Sequence, residues 1–279
     1  MRRLADLWFG PTDGVRVALF ERVLTYGLFI YSVSWWQHAS EWLTRDGYHP
    51  SSAASNGLQL QVPALPVELL WWFGALYFGS MVAVALGLGR RVTLPILWCC
   101  LLYVSTVDRL SAFSMNKIYL VVYLVLWLAP FREGGDRLAS AWPLRTLQAT
   151  LVLQYFGAGV CKAVHGDWLA HADTLWYQMQ LPYRNAAAAW MVRTLPKDAF
   201  TLMQHAALAF ELLAPLLLLV RRLRPFGMLW GLGMHAMIAL SMHKVGLFAL
   251  QNIAFYVLFL PPHRLQAVWD RMKLASARS

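Results

Sequence analysis

Apolar positions gather into long runs, separated by short basic turns and by two long connections rich in aromatic residues. The runs cover 17–37, 66–88, 92–110, 112–130, 144–164, 200–220, 225–243 and 246–261. A helix needs about 20 apolar residues to cross the hydrocarbon layer of a bilayer, so each run predicts one span. The last run is short and predicts a tilted or partly interfacial helix. No stretch alternates with the two-residue period of a barrel strand. The pattern therefore predicts an all-α fold: a polytopic transmembrane helical bundle of about eight spans. It forms one domain over residues 1–279, with no internal repeat or low-complexity segment.

Composition agrees with that reading. Of 279 residues, 59% are hydrophobic and 14% are charged, whereas soluble domains carry about 25% charged residues. The net charge of +10 does not call for nucleic acid, because no soluble basic domain is present to bind it. Basic residues concentrate instead in alternate connections. Arg90 and Arg91, Arg132 and Arg137, and Arg221, Arg222 and Arg224 mark one side, as do both ends of the chain. Arg45, Arg109, Lys117, Arg184, Arg193, Lys197 and Lys244 are spread over the other side. The positive-inside rule then puts both termini in the cytoplasm of a cell with an inner (cytoplasmic) membrane. Arg2 and Arg3 precede a first run that starts late and lacks a small-residue cleavage site, so that run is expected to be retained as a span. Cys99, Cys100 and Cys161 all lie in apolar runs, which suggests neither a disulfide framework nor a zinc cluster, and no metal site is expected.

With this topology the connections 38–65 and 165–199 both face outward. Tyr48 and Pro50 in the first, and Trp168, Trp176, Tyr177, Tyr183 and Trp190 in the second, suit the headgroup layer. Polar residues inside the spans then acquire a depth. Lys162 lies about 25 Å along the fifth helix, near its outer end. Gln148, Tyr155, Gly159 and Lys162 share a face at helical spacing. Gly157, Ala158 and Gly159 are expected to admit a neighbouring helix. Gly227, Gly231 and His235 are spaced by four and predict a small-residue packing face. Asn116 and Lys117, Gln204 and His205, His243, and Gln251 and Asn252 fall in the outer half as well. Convergence at one depth predicts a chamber opening outward. Each group also has a plainer reading. Lys162 and Lys117 can snorkel, His205 and His243 can sit at the interface, and His235 can donate to a neighbouring carbonyl. Glu211 is either protonated or paired with a cation. Glu21 and Arg22 are expected to form a local snorkelling pair.

Several segments resemble a known family. Tyr155-Phe-Gly-Ala-Gly-Val-Cys-Lys162, with Asp167-Trp168, resembles the segment that carries the catalytic lysine of vitamin K-dependent gamma-glutamyl carboxylases, within the wider HTTM (horizontally transferred transmembrane domain) family. Pro11-Thr-Asp-Gly-Val-Arg-Val-Ala-Leu-Phe-Glu-Arg22 resembles its amino-terminal entry. Ser114-Met-Asn-Lys-Ile-Tyr-Leu120 resembles its Asn-His-x-Tyr-Leu segment, with Lys117 at the histidine position. Phe210-Glu-Leu-Leu-Ala-Pro215 and the stretch from Arg224 to His235 resemble its later helices. The chain is similar to bacterial-type members that lack the carboxy-terminal lumenal region.

The resemblance implies a carboxylase-like lyase or oxygenase. Lys162 would be the base that starts oxygenation of reduced vitamin K or another quinol, with oxygen and carbon dioxide as co-substrates. His235 would support it, and Asn116, Lys117, Tyr155, His205 and His243 would line the cofactor site. A lysine withdrawn from water gives up its proton more readily than one in solution, and an apolar chamber suits a quinone. The expected partners are the lipid bilayer and a peptide substrate or small partner protein, with the site facing the non-cytoplasmic side. A non-catalytic membrane partner for maturation or export of a secreted peptide is the alternative. A transporter is a third reading, and the inverted symmetry and broken helices it would need are not apparent.

Overall fold

The computed structural model describes residues 2–47, 49, 62–107, 114–131, 137–243 and 245–276. Tyr48, Pro50, Arg109, Arg132, Lys244 and Arg278, which entered the loop and charge expectations, lie outside the described residues. The helices in chain order are α1 (Arg2–Phe9), α2 (Val15–Trp36), α3 (Ala39–Leu43), α4 (Leu70–Leu86), α5 (Arg90–Val107), α6 (Ser114–Leu128) and α7 (Trp142–His165). They continue with α8 (Thr174–Gln178), α9 (Ala186–Thr194), α10 (Lys197–Leu219), α11 (Arg224–Ser241), α12 (Gly246–Phe255) and α13 (Pro262–Ser276). Two-residue strands β1 (Thr12–Asp13) and β2 (Arg137–Leu138) pair antiparallel. Among the described residues the fold is all-α apart from this clip.

Among the described residues, α2, Val67–Leu86, α5 and α10 are long and apolar enough to cross a membrane, and Met115–Leu128 and Gly246–Phe259 are shorter apolar helices. The helices α7 and α11 occupy the expected runs 144–164 and 225–243 but are not among these. Outward-facing apolar residues confirm the kind of solvent these helices need. On α4, Trp71 and Trp72 are 78% and 75% exposed, a heavy penalty in water and none in lipid.

The chain forms two compact units, Met1–Leu144 with Pro261–Ser279, and Arg145–Leu260. In the first, α2 packs on α4 and α13, α4 on α5, and α5 on α6. The link from α4 to α5 is the tight hairpin the sequence predicts. Gly87 adopts a left-handed φ of 76°, and Leu88 N–H reaches back to the Ala83 carbonyl at 2.8 Å, which ends α4 as a Schellman turn. Glu21, Thr25 and Ser32 lie on one buried face of α2. Glu21 does not pair with its neighbour Arg22. It pairs with Arg90 of α5 at 3.0 Å, and Arg90 also donates to the Leu126 carbonyl. Successive helical residues point about 100° apart, so Arg22 turns elsewhere and stacks on Trp269 at 4.7 Å. Thr25 donates to the Glu21 carbonyl at 2.6 Å and accepts from the Tyr123 hydroxyl at 2.8 Å.

In the second unit α10 packs on α11 and α11 on α12. The 165–199 connection is structured. Met179, Ala188, Met191 and Phe200 form a small core beneath it, flanked by Trp176 and Met242. Tyr177, Tyr183 and Trp190 are left exposed.

Candidate functional site

The site grows out of one face of α7. Gln148 donates to the Leu258 carbonyl at 2.8 Å. Two turns further on, the Tyr155 hydroxyl meets His235 Nε2 at 2.6 Å. One more turn brings Gly159, where a Cβ would stand 2.9 Å from Glu211 Cβ and 3.0 Å from the Leu212 backbone nitrogen. The missing side chain is what lets α7 and α10 touch. Lys162, three residues later, puts its Nζ 2.5 Å from Glu211 Oε1. Gly157 has open space where its Cβ would be. Of the three small residues expected to admit a neighbour, Gly159 is the one shown in contact.

The face of α11 predicted from its four-residue spacing is also built from missing side chains. A Cβ on Gly227 would stand 2.7 Å from Leu217 Cβ. On Gly231 it would collide with the Tyr256 hydroxyl, and it would stand 2.6 Å from Phe210 Cζ. That space lets Tyr256 reach Tyr155, with their hydroxyls 3.1 Å apart. His235, 1% exposed, completes the chain Tyr256–Tyr155–His235. Phe210 closes its side, edge-on to Tyr155 at 5.1 Å.

The exit of α7 is shaped for Lys162. Asp167 takes a left-handed φ of 58°, an unfavourable conformation that Asp tolerates better than most residues. The chain turns there, and Trp168 becomes buried with its ring 4.6 Å from Lys162 Nζ. Gln204 fixes the turn by donating to the Trp168 and His171 carbonyls, both at 2.8 Å, and accepting from Leu175 N–H at 2.9 Å. The Lys162 side chain is 31% exposed and that of Glu211 is 7% exposed. The cation is therefore neither in bulk water nor alone in an apolar helix.

Tyr155, Lys162 and His235 thus come together, joined by Glu211 and Tyr256. His205 is exposed, because Gln204, Leu208 and Glu211 take the inward face of α10 and leave His205 about 100° away. His243 lies beyond α11, exposed, with its N–H on the Tyr183 carbonyl at 2.6 Å. Asn116 and Lys117 belong to the first unit, where Asn116 is buried beside the Tyr31 hydroxyl and Lys117 is exposed. Asn252 is buried and accepts from Gln154 at 3.0 Å. Sequence reasoning left the partner of Glu211 open, gave Gln204 a depth but no role, and passed over Tyr256. A usable signal existed for the first: an ionised carboxylate in an apolar run needs a cation, and Lys162 was one of the few cations inside a span.

Chemically, the Lys162–Glu211 pair holds one acid proton between an amine and a carboxylate. Two buried polar atoms in this cluster, Glu211 Oε2 and His235 Nδ1, have no hydrogen-bond partner among the described residues.

No curated protein and no solved structure matches the chain. The HTTM domain model matches residues 9–263, a stretch that contains α7, α10 and α11 entire. By that match the chain belongs to the HTTM family of membrane proteins.

Proposed function

We propose that this HTTM protein is a membrane-embedded carboxylase-like enzyme. Lys162 is the base, a reduced quinol of the vitamin K type is the cofactor, and a peptide or small molecule is modified at the outer face. The reading includes eight spans with both termini in the cytoplasm of the inner membrane. One observation supports it above the others: the single lysine of α7 is partly shielded from water, paired with Glu211, set over the Trp168 ring, and beside a buried Tyr–His chain. A lysine that only snorkels needs none of these partners.

The residues present fit such a cofactor. Glu211 Oε2 and His235 Nδ1 offer unfilled hydrogen-bond positions, close to the rings of Phe210, Tyr155 and Trp168. When bound, a reduced quinol and oxygen supply the strong base that carboxylation of an unactivated carbon requires. Lys162 accepts a proton at Nζ. Glu211 orients that amine, and Tyr155 and Tyr256 hold the His235 ring. The test uses purified protein in nanodiscs with reduced naphthoquinol, oxygen, labelled bicarbonate and a glutamate-containing peptide. Label enters the peptide with the native protein and not with Lys162→Ala of equal helicity. Equal incorporation by Lys162→Ala overturns the reading.

A second reading has its own observation. Tyr177, Tyr183 and Trp190 are exposed on the cap, as a docking surface for a secreted peptide would be. In that case substitutions at Tyr183 and Trp190 abolish function and Lys162→Ala does not.

A further inference from the structure

Glu211 is used through only one of its oxygens. Oε1 holds Lys162 at 2.5 Å, whereas Oε2 is buried and has no partner among the described residues. Leaving a carboxylate oxygen dry and unsatisfied costs free energy, and native proteins seldom do so without a use. An ionised carboxylate accepts hydrogen bonds and donates none. His235 differs. Its Nε2 is occupied by Tyr155, and Nδ1 donates in one tautomer and accepts in the other. Of the two open atoms, Glu211 Oε2 is the one with a fixed preference while the ion pair with Lys162 stands.

We infer that Glu211 Oε2 receives the hydroxyl hydrogen of the reduced ring and thereby makes the site selective for the reduced over the oxidised form of its cofactor. This rests on the quinol reading above. A hydroquinone presents an O–H to the carboxylate. A quinone presents a carbonyl oxygen, whose lone pairs face those of Oε2 with no proton between them. While its ion pair with Glu211 stands, Lys162 is an ammonium that donates to a hydroxyl and a carbonyl alike, so the choice between the two rings falls to Oε2 before any proton leaves Nζ. The residue that positions the base therefore also chooses the oxidation state that the base works on. Gly159 is part of the device, since its missing side chain lets the Glu211 backbone lie against α7.

The experiment measures equilibrium binding to purified protein in nanodiscs by calorimetry. The probes are 1,4-naphthohydroquinone, kept reduced under anaerobic dithionite, and 1,4-naphthoquinone. A hydrogen bond to an ionised group predicts at least a tenfold preference for the reduced ring. Glu211→Gln, of the same size, can turn its amide toward the carbonyl, and the preference falls to within about threefold while the oxidised ring binds as well or better. The double variant Lys162→Met/Glu211→Gln leaves no lone buried charge, so it keeps the test available if the single variant misfolds. It too loses the preference. Equal binding of the two rings by the native protein overturns the inference and leaves the quinol reading standing. A preference retained in the folded variants also overturns it. Binding of neither ring overturns both the inference and the quinol reading.

Discussion

The contact between α7 and α10 can be tested by adding one methyl group in two places. Gly159→Ala puts a Cβ 2.9 Å from Glu211 Cβ and 3.0 Å from Leu212 N. Carbon atoms in comfortable contact are about 3.5–4.0 Å apart, so the helices must separate by roughly half an ångström or more. One of the obstructing atoms is backbone and cannot swing aside. Overpacking of this kind costs about 1–3 kcal/mol. Gly157→Ala adds the same methyl group two residues away, where nothing lies within 4 Å. Each substitution also gains up to about 1 kcal/mol of helix preference, which cancels when the two are compared. Gly159→Ala is therefore expected to be less stable than Gly157→Ala by about 1–3 kcal/mol. The assay is reversible unfolding in mixed micelles with rising dodecyl sulfate, followed by far-ultraviolet circular dichroism. Because Lys162 is three residues from Gly159, the ion pair should lengthen in step, and turnover should fall in Gly159→Ala alone. Equal stability of the two variants would refute the close packing of α7 on α10.

Other expectations follow from the same contacts. Arg90→Met leaves Glu21, 7% exposed on its side chain, without a partner; it should cost about 3 kcal/mol, and adding Glu21→Gln should restore most of it, as read by the same unfolding assay. Gly231→Ala drives a methyl group into the Tyr256 hydroxyl and Phe210. It should cost about 1–3 kcal/mol, whereas Gly233→Ala, with open space at its Cβ, should be neutral or slightly stabilising. Asp167→Val places a β-branched residue at a left-handed φ, which costs at least about 1–2 kcal/mol, and tryptophan emission should report Trp168 moving toward solvent. Asp167→Gly should be tolerated.

Where α2, α4, α5 and α10 lie was legible because crossing a membrane is set by length and apolarity, and these four follow their runs closely. The Gly227–Gly231–His235 face was legible for a different reason, its regular spacing. Pairing across helices was not. Glu21 stands next to Arg22 in sequence, yet its partner is 69 residues away, because adjacent side chains on a helix diverge. Gly157 and Gly159 read alike as small residues, and only the position of Gly159 one turn before Lys162 told them apart. The short helices α9 and α13 lack a long apolar run and left no span-like signal. His205 was expected inward by depth alone, which says nothing of the direction around the helix axis.

The central claim is that Lys162 is held by Glu211 inside the second unit and does not simply snorkel to the interface. A double-mutant cycle of unfolding free energies, with Lys162→Met, Glu211→Gln and both together, measures this directly. Contacting residues couple by about 0.5–3 kcal/mol, and the partial exposure of Lys162 places the expected value near 1 kcal/mol after solvent screening. The account predicts that the double variant is more stable than the sum of the single losses allows, by that amount. Strict additivity, with each substitution costing the same whether or not the other is present, would contradict it.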